Sequence, residues 1–133
     1  MTPDRFLVIV EGKNDRKKIR RLLPDNVVIV TTFGIPNAER LEHIRRQAND
    51  RIVIILTDQD AAGRRIRRSL MEMLPDAINI YTKSGYNGVE HTPLEYLEER
   101  FRKIGILAED TRQYGKGWEY SSATGNLDDY DPE

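Results

Sequence analysis

The residues best suited to chemistry in this chain are carboxylates gathered in two short segments. Glu11-Gly12-Lys13-Asn14-Asp15 follows the apolar run Phe6–Val10, and Asp58-Gln59-Asp60-Ala61-Ala62-Gly63 follows the apolar run over residues 52–56. In extended backbone, residues two apart point to the same side, so Asp58 and Asp60 can aim into one crevice. Glu11, lying 47 positions earlier, can face them from a neighbouring strand. Carboxylates so close repel one another unless a cation or a shared proton relieves them. Mg²⁺ suits such a site, because it takes oxygen ligands and is held by one or two carboxylates plus the phosphates of its substrate. The ordinary alternatives are that Asp60 only caps a helix and Glu11 only occupies a turn.

Cations lie close by. Lys13 follows Glu11 where a helix begins, a place that favours anions, and Arg64 and Arg65 follow the second acidic segment. Further basic clusters fall at Arg16-Lys17-Lys18, Arg20-Arg21, Arg45-Arg46 and Arg67-Arg68. They suit a phosphate backbone, with a solvated helix face as the plain alternative. Tyr81, Tyr86 and Tyr96 are rings that could stack on bases or pack at the rim of the core. His43 is read as a surface or packing residue.

The elements that must position these groups follow from periodicity. Continuous apolar runs over residues 6–10 and 52–55, a third over 27–30 and a weaker fourth over 78–81 read as parallel strands covered on both faces. Between them lie helical patterns over 14–23, 38–48 and 61–74, closed in turn by Pro24 and Pro75 where prolines follow. A further helix is expected to open at Thr92-Pro93-Leu94-Glu95 as a capping box and to run to about residue 103. The alternation predicts an α/β fold, a doubly wound, Rossmann-like, four-stranded parallel sheet flanked by helices, in the order 2-1-3-4. Strands one and three are then neighbours at the switch point, where α/β proteins bind ligands.

With 133 residues and no cysteine, the chain fits one domain without disulfides or thiolate chemistry. No apolar run approaches the roughly 20 residues of a membrane span, and the start of the chain has no signal-peptide pattern. The expected setting is soluble and cytoplasmic. A net charge of −1 conceals an asymmetry, since residues 106–133 hold seven acidic and two basic side chains and the preceding part is mildly basic. Residues 1–105 are therefore expected to form the domain and 106–133 an acidic, flexible tail.

These motifs resemble the TOPRIM domain shared by topoisomerases, bacterial-type primases, RecR-type recombination proteins and certain nucleases. The likeness rests on Glu11-Gly12 after the first strand and Asp58-Gln59-Asp60-Ala61-Ala62-Gly63 after the third, and it covers residues 5–103. Within the family, Glu11-Gly12-Lys13-Asn14-Asp15, Thr57 through Gly63 and Gly88-Val89-Glu90-His91 are most similar to the small TOPRIM proteins and to the ribonuclease that matures 5S ribosomal RNA. The resemblance implies Mg²⁺ or Mn²⁺ on Asp58 and Asp60, with Glu11 as a further ligand or the general acid/base, and phosphodiester hydrolysis of RNA or DNA. Lys13 would assist at the phosphate, as would Arg64 and Arg65. Glu90 would reach a second metal and His91 would shuttle a proton or contact phosphate, unless both only precede the last helix. Related proteins often carry an acid directly after the glycine where this chain has Arg64, so no further carboxylate is available there.

A second reading is a non-catalytic module that grips metal or nucleic acid and serves a partner nuclease or ribosomal particle. A receiver domain is disfavoured, because it needs paired acids after the first strand and a fifth strand. No glycine-rich nucleotide loop follows any strand.

Overall fold

The computed structural model describes residues 5–82 and 88–107. The elements run β1 (Phe6–Val10), α1 (Lys13–Arg20), β2 (Val28–Thr31), α2 (Ala38–Ala48), β3 (Ile52–Thr57), α3 (Ala61–Met73), β4 (Ile78–Tyr81), α4 (Gly88–His91) and α5 (Leu94–Ile104). All four strands are parallel, in the order β2-β1-β3-β4. This is the expected order, and it follows from burial. β1 is apolar at every position and wholly buried, so it belongs in the middle with a layer on each face.

Alternation along β1 sorts the two layers. Phe6, Val8 and Val10 join Ile19 of α1, Val89 of α4, and Leu97 and Phe101 of α5. Leu7 and Ile9 join Ile44 of α2 with Ile66 and Leu70 of α3 on the opposite face. The chain leaves β1 toward β2 and leaves β3 toward β4, so the crevice between the carboxyl ends of β1 and β3 is the switch point.

Helix ends follow local chemistry. The Asn37 side chain accepts the Arg40 N–H at 2.8 Å to start α2, and Asp60 accepts the Gly63 N–H at 2.7 Å to start α3. α1 stops at Arg20 rather than continuing to residue 23, and the chain leaves it through a turn in which the Leu22 and Leu23 N–H groups both donate to the Ile19 carbonyl, at 2.9 and 3.1 Å. The expected capping box at Thr92 does not form. Pro93 occupies the cap position of α5, and the buried Thr92 hydroxyl donates back to the Gly88 carbonyl at 2.7 Å. The cause is α4, a short helix that the periodicity did not reveal, whose carbonyls need donors. Lys18 supplies another, its ammonium reaching the carbonyls of Val89 at 2.9 Å and Glu90 at 2.7 Å and that of Thr92.

The cluster at Arg67-Arg68 divides. Arg67 is buried, donating to the carbonyls of Ile55, Thr57 and Ile80 and to the Asn79 side chain. Arg68 stays exposed. Among the described residues no helix is long and apolar enough to cross a membrane.

Candidate metal and phosphate site

Glu11 and Asp58 emerge from adjacent strands at the same sheet edge, and the Glu11 carboxylate accepts the Asp58 N–H at 3.4 Å. Glu11 is pushed up to about 7, first by burial, then by the charge of Asp58, with Asp60 and Asp15 adding to it and the Asp58 N–H offsetting part. Glu11 and Asp58 therefore lie side by side as the strand order requires, with Asp60 acting on Glu11 by its charge alone. Asp15, in the first turn of α1, belongs to the same field. Its own pKa is raised by burial and by Asp58, while its carboxylate accepts the Gly12 N–H at 3.2 Å. Sequence reasoning gave Asp15 no role, although it falls in the first turn of the helix that Glu11 precedes.

Two glycines allow this closeness. A β-carbon on Gly63 would lie 2.0 Å from the Asp58 carbonyl oxygen, and one on Gly88, whose φ is +76°, would lie 2.7 Å from the Asp58 carboxylate. Asp58 in turn accepts the Val89 N–H at 2.8 Å, tying α4 to the end of β3.

The donor set is all oxygen, which fits a hard divalent cation, and the raised Glu11 pKa fits a cluster that a cation would relieve. Among the described residues, however, no three acidic or histidine side chains are drawn together around a point where an ion could sit. Asp58 and Asp60 each have one carboxylate oxygen engaged by a backbone N–H, that of Val89 and that of Gly63.

The other expected residues are dispersed. Lys13 is exposed at the start of α1. Arg64 lies near the carboxylates, bordering a cleft of about 360 Å³ with Asp58, Gln59, Arg68 and Tyr81, and it donates to the Gln59 carbonyl at 2.8 Å. Arg65 is exposed one position further along α3. Glu90 and His91 lie elsewhere, in a cleft of about 550 Å³ between α1 and α4 with Asn14, Lys17 and Arg21. Glu90 acts on Asp15 and Lys18 and is not among the charges that act on Glu11. Tyr86 and the tail over 108–133 lie outside the described residues.

Comparison with known proteins agrees with this architecture. Residues 6–86 match the Toprim domain. The uncharacterised protein YusF of Bacillus subtilis is 31% identical over 91 residues, covering 68% of this chain and 62% of its own. A protein named ribonuclease M5 from Mycoplasma capricolum is 34% identical over 108 residues, covering 80% of this chain and 54% of its own. The solved structure of a small TOPRIM domain protein from Bacillus stearothermophilus superimposes with a TM-score of 0.69 at 32% identity, covering 75% of this chain and 85% of that one. The chain thus spans between about half and three fifths of the length of these curated relatives.

Proposed function

Because this chain belongs to the Toprim domain family, we propose that it performs Mg²⁺- or Mn²⁺-dependent phosphodiester chemistry on nucleic acid, as a small nuclease related to ribonuclease M5. The observation that carries the reading is Glu11 beside Asp58 at the switch point, its carboxylate accepting the Asp58 N–H at 3.4 Å while burial and the charges of Asp58 and Asp60 raise its pKa to about 7. Asp58 and Asp60 would hold the cation, with Glu11 beside them. Bound there, the cation would offset the negative charge that gathers on the phosphate oxygens during displacement. A carboxyl that titrates near neutrality exchanges protons readily, so Glu11 takes a proton from the attacking water or returns one to the leaving oxygen. Lys13, Arg64 and Arg65 hold the flanking phosphates by charge.

A second reading is favoured by one specific observation. Asp58 and Asp60 are engaged with backbone N–H groups and no preformed ion cage exists among the described residues. On that reading the chain is a binding module that presents nucleic acid to a partner nuclease or ribosomal particle.

Incubation with labelled structured RNA, duplex DNA and single strands, in Mg²⁺, Mn²⁺ or chelator, separates the two. Cation-dependent cleavage is expected. Asp58→Asn should raise the cation concentration required, and Glu11→Gln should cut turnover roughly a hundredfold or more while raising the cation requirement less than Asp58→Asn does. Binding without cleavage of any substrate would establish the module instead, and equal cleavage by wild type and both variants would expose a contaminating nuclease.

A further inference from the structure

Two aromatic rings stand in solvent at opposite ends of the sheet edge that carries the carboxylates. Phe33, just past β2, is 64% exposed, and Tyr81, the last residue of β4, is 51% exposed. Phe33 is also held at φ +57°, in the left-handed region that a bulky residue rarely adopts, next to Gly34 at φ +83°. A strained backbone that presents a large ring to water serves burial poorly, and such strain gathers where a ligand is bound.

Each ring is braced by an arginine. The Arg40 guanidinium lies 4.6 Å from the Phe33 ring centre and that of Arg67 lies 4.3 Å from the Tyr81 ring centre. Both arginines are themselves anchored, Arg40 to the Thr31 carbonyl at 2.8 Å and Arg67 to the Ile80 carbonyl at 2.9 Å. The rings are thereby fixed through a cation–π contact with more than half of each still open to solvent.

Both rings also join the carboxylates. The Phe33 N–H donates to the Glu11 carbonyl at 2.9 Å, and Tyr81 shares its cleft with Asp58, Arg64 and Arg68. Beside Phe33 is a second cleft of about 450 Å³, bordered by Arg40, His43 and Arg46 with Glu39 at its rim. Thr32 lines it too, and the buried Thr32 hydroxyl has no hydrogen-bond partner among the described residues. Strand order sets Phe33, Glu11, Asp58 and Tyr81 in a row along the edge. Three strand spacings separate the ends, about 14 Å, the reach of about four stacked nucleotides.

We propose that this edge is a track for an unpaired nucleic-acid strand. One base stacks on Phe33 and another on Tyr81, while the backbone between them crosses Glu11 and Asp58 and its phosphates meet Arg46, Arg64 and Arg68. The proposal rests on the preceding reading that these carboxylates serve nucleic acid, and it specifies the substrate class. Bases within a duplex already have both faces covered by neighbours, so only unpaired bases can use the rings.

The test is binding of the full chain, in chelator so that nothing is cut, to a labelled single-stranded RNA, the DNA of the same sequence, and the duplex. Single strands are expected to bind more tightly than duplex. Phe33→Ala and Tyr81→Ala should each weaken single-strand binding by roughly tenfold or more, while Phe33→Trp and Tyr81→Phe retain it. A fluorescent adenine analogue in the strand should be quenched by wild type and not by the alanine variants. Both alanine changes fall on exposed side chains, and unchanged melting temperatures would show that the fold is intact. Alanine variants that bind single strands as tightly as wild type would overturn the track alone. A wild-type protein that binds neither single strands nor duplex would overturn the track and the nucleic-acid reading together.

Discussion

Glu11 is a carboxyl whose surroundings oppose its charge. Its pKa of about 7, against an ordinary value of 4.5, arises from burial and from Asp58, Asp60 and Asp15. Between those two values the unfolded chain ionises while the folded chain keeps its proton, so the folded state binds more protons. Stability contributed by Glu11 is complete below about pH 4.5 and declines as pH rises through about 7, with Asp15 acting in the same sense. Thermal melts of the metal-free protein should show this decline, and Glu11→Gln should flatten it. Added Mg²⁺ should reverse the trend, stabilising more at pH 8 than at pH 6, because a cation is held by the ionised form. A wild-type profile identical to that of Glu11→Gln would mean that Glu11 is not in this field. The carboxylates themselves were legible from residue type and spacing. Phe33 and Asp15 were not, because one depends on a loop conformation and the other on a charge field, and neither leaves a periodic trace.

At the scale of elements, Asp60 has two tasks that charge and shape can separate. Its side-chain oxygen caps α3 by accepting the Gly63 N–H, and its charge acts on Glu11. Asp60→Ala should cost about 1 kcal/mol through the lost cap and lose cation binding as well. Asp60→Asn keeps the acceptor, so its melting temperature should stay near wild type while cation binding weakens. Calorimetric melts beside a Mg²⁺ titration check both, and equal destabilisation by the two variants would leave the cap argument without support. The start of α3 was readable because a cap is a local pattern. The short α4 was not, since it is held by Asp58 and Lys18, which lie 31 and 71 residues from Val89 in the chain. The same remote demand drew Thr92 away from the cap position that its sequence context favoured.

Across the whole molecule, the core reaches past the end of α5. Ile106 is buried at 3% exposure and Leu107 packs against the same cluster. We propose that the domain extends at least to residue 107, beyond the boundary at 105 suggested by composition. Truncation after residue 105 should lose stability of order 2–5 kcal/mol relative to truncation after 107, the cost of removing a buried isoleucine. Equal melting temperatures for the two truncations would refute the extended core. Composition could not reveal that extension, because burial of a single isoleucine is a property of its neighbours. What the residues determined unaided was the plan: apolar runs long enough for central strands, helices between them, and acids at the strand ends, all written within short windows of chain. What only the folded molecule decided was which carboxylates feel one another, which arginine is buried and which rings face water. Those depend on distances between segments far apart in the chain, and such distances exist only once the sheet has brought β1 and β3 side by side.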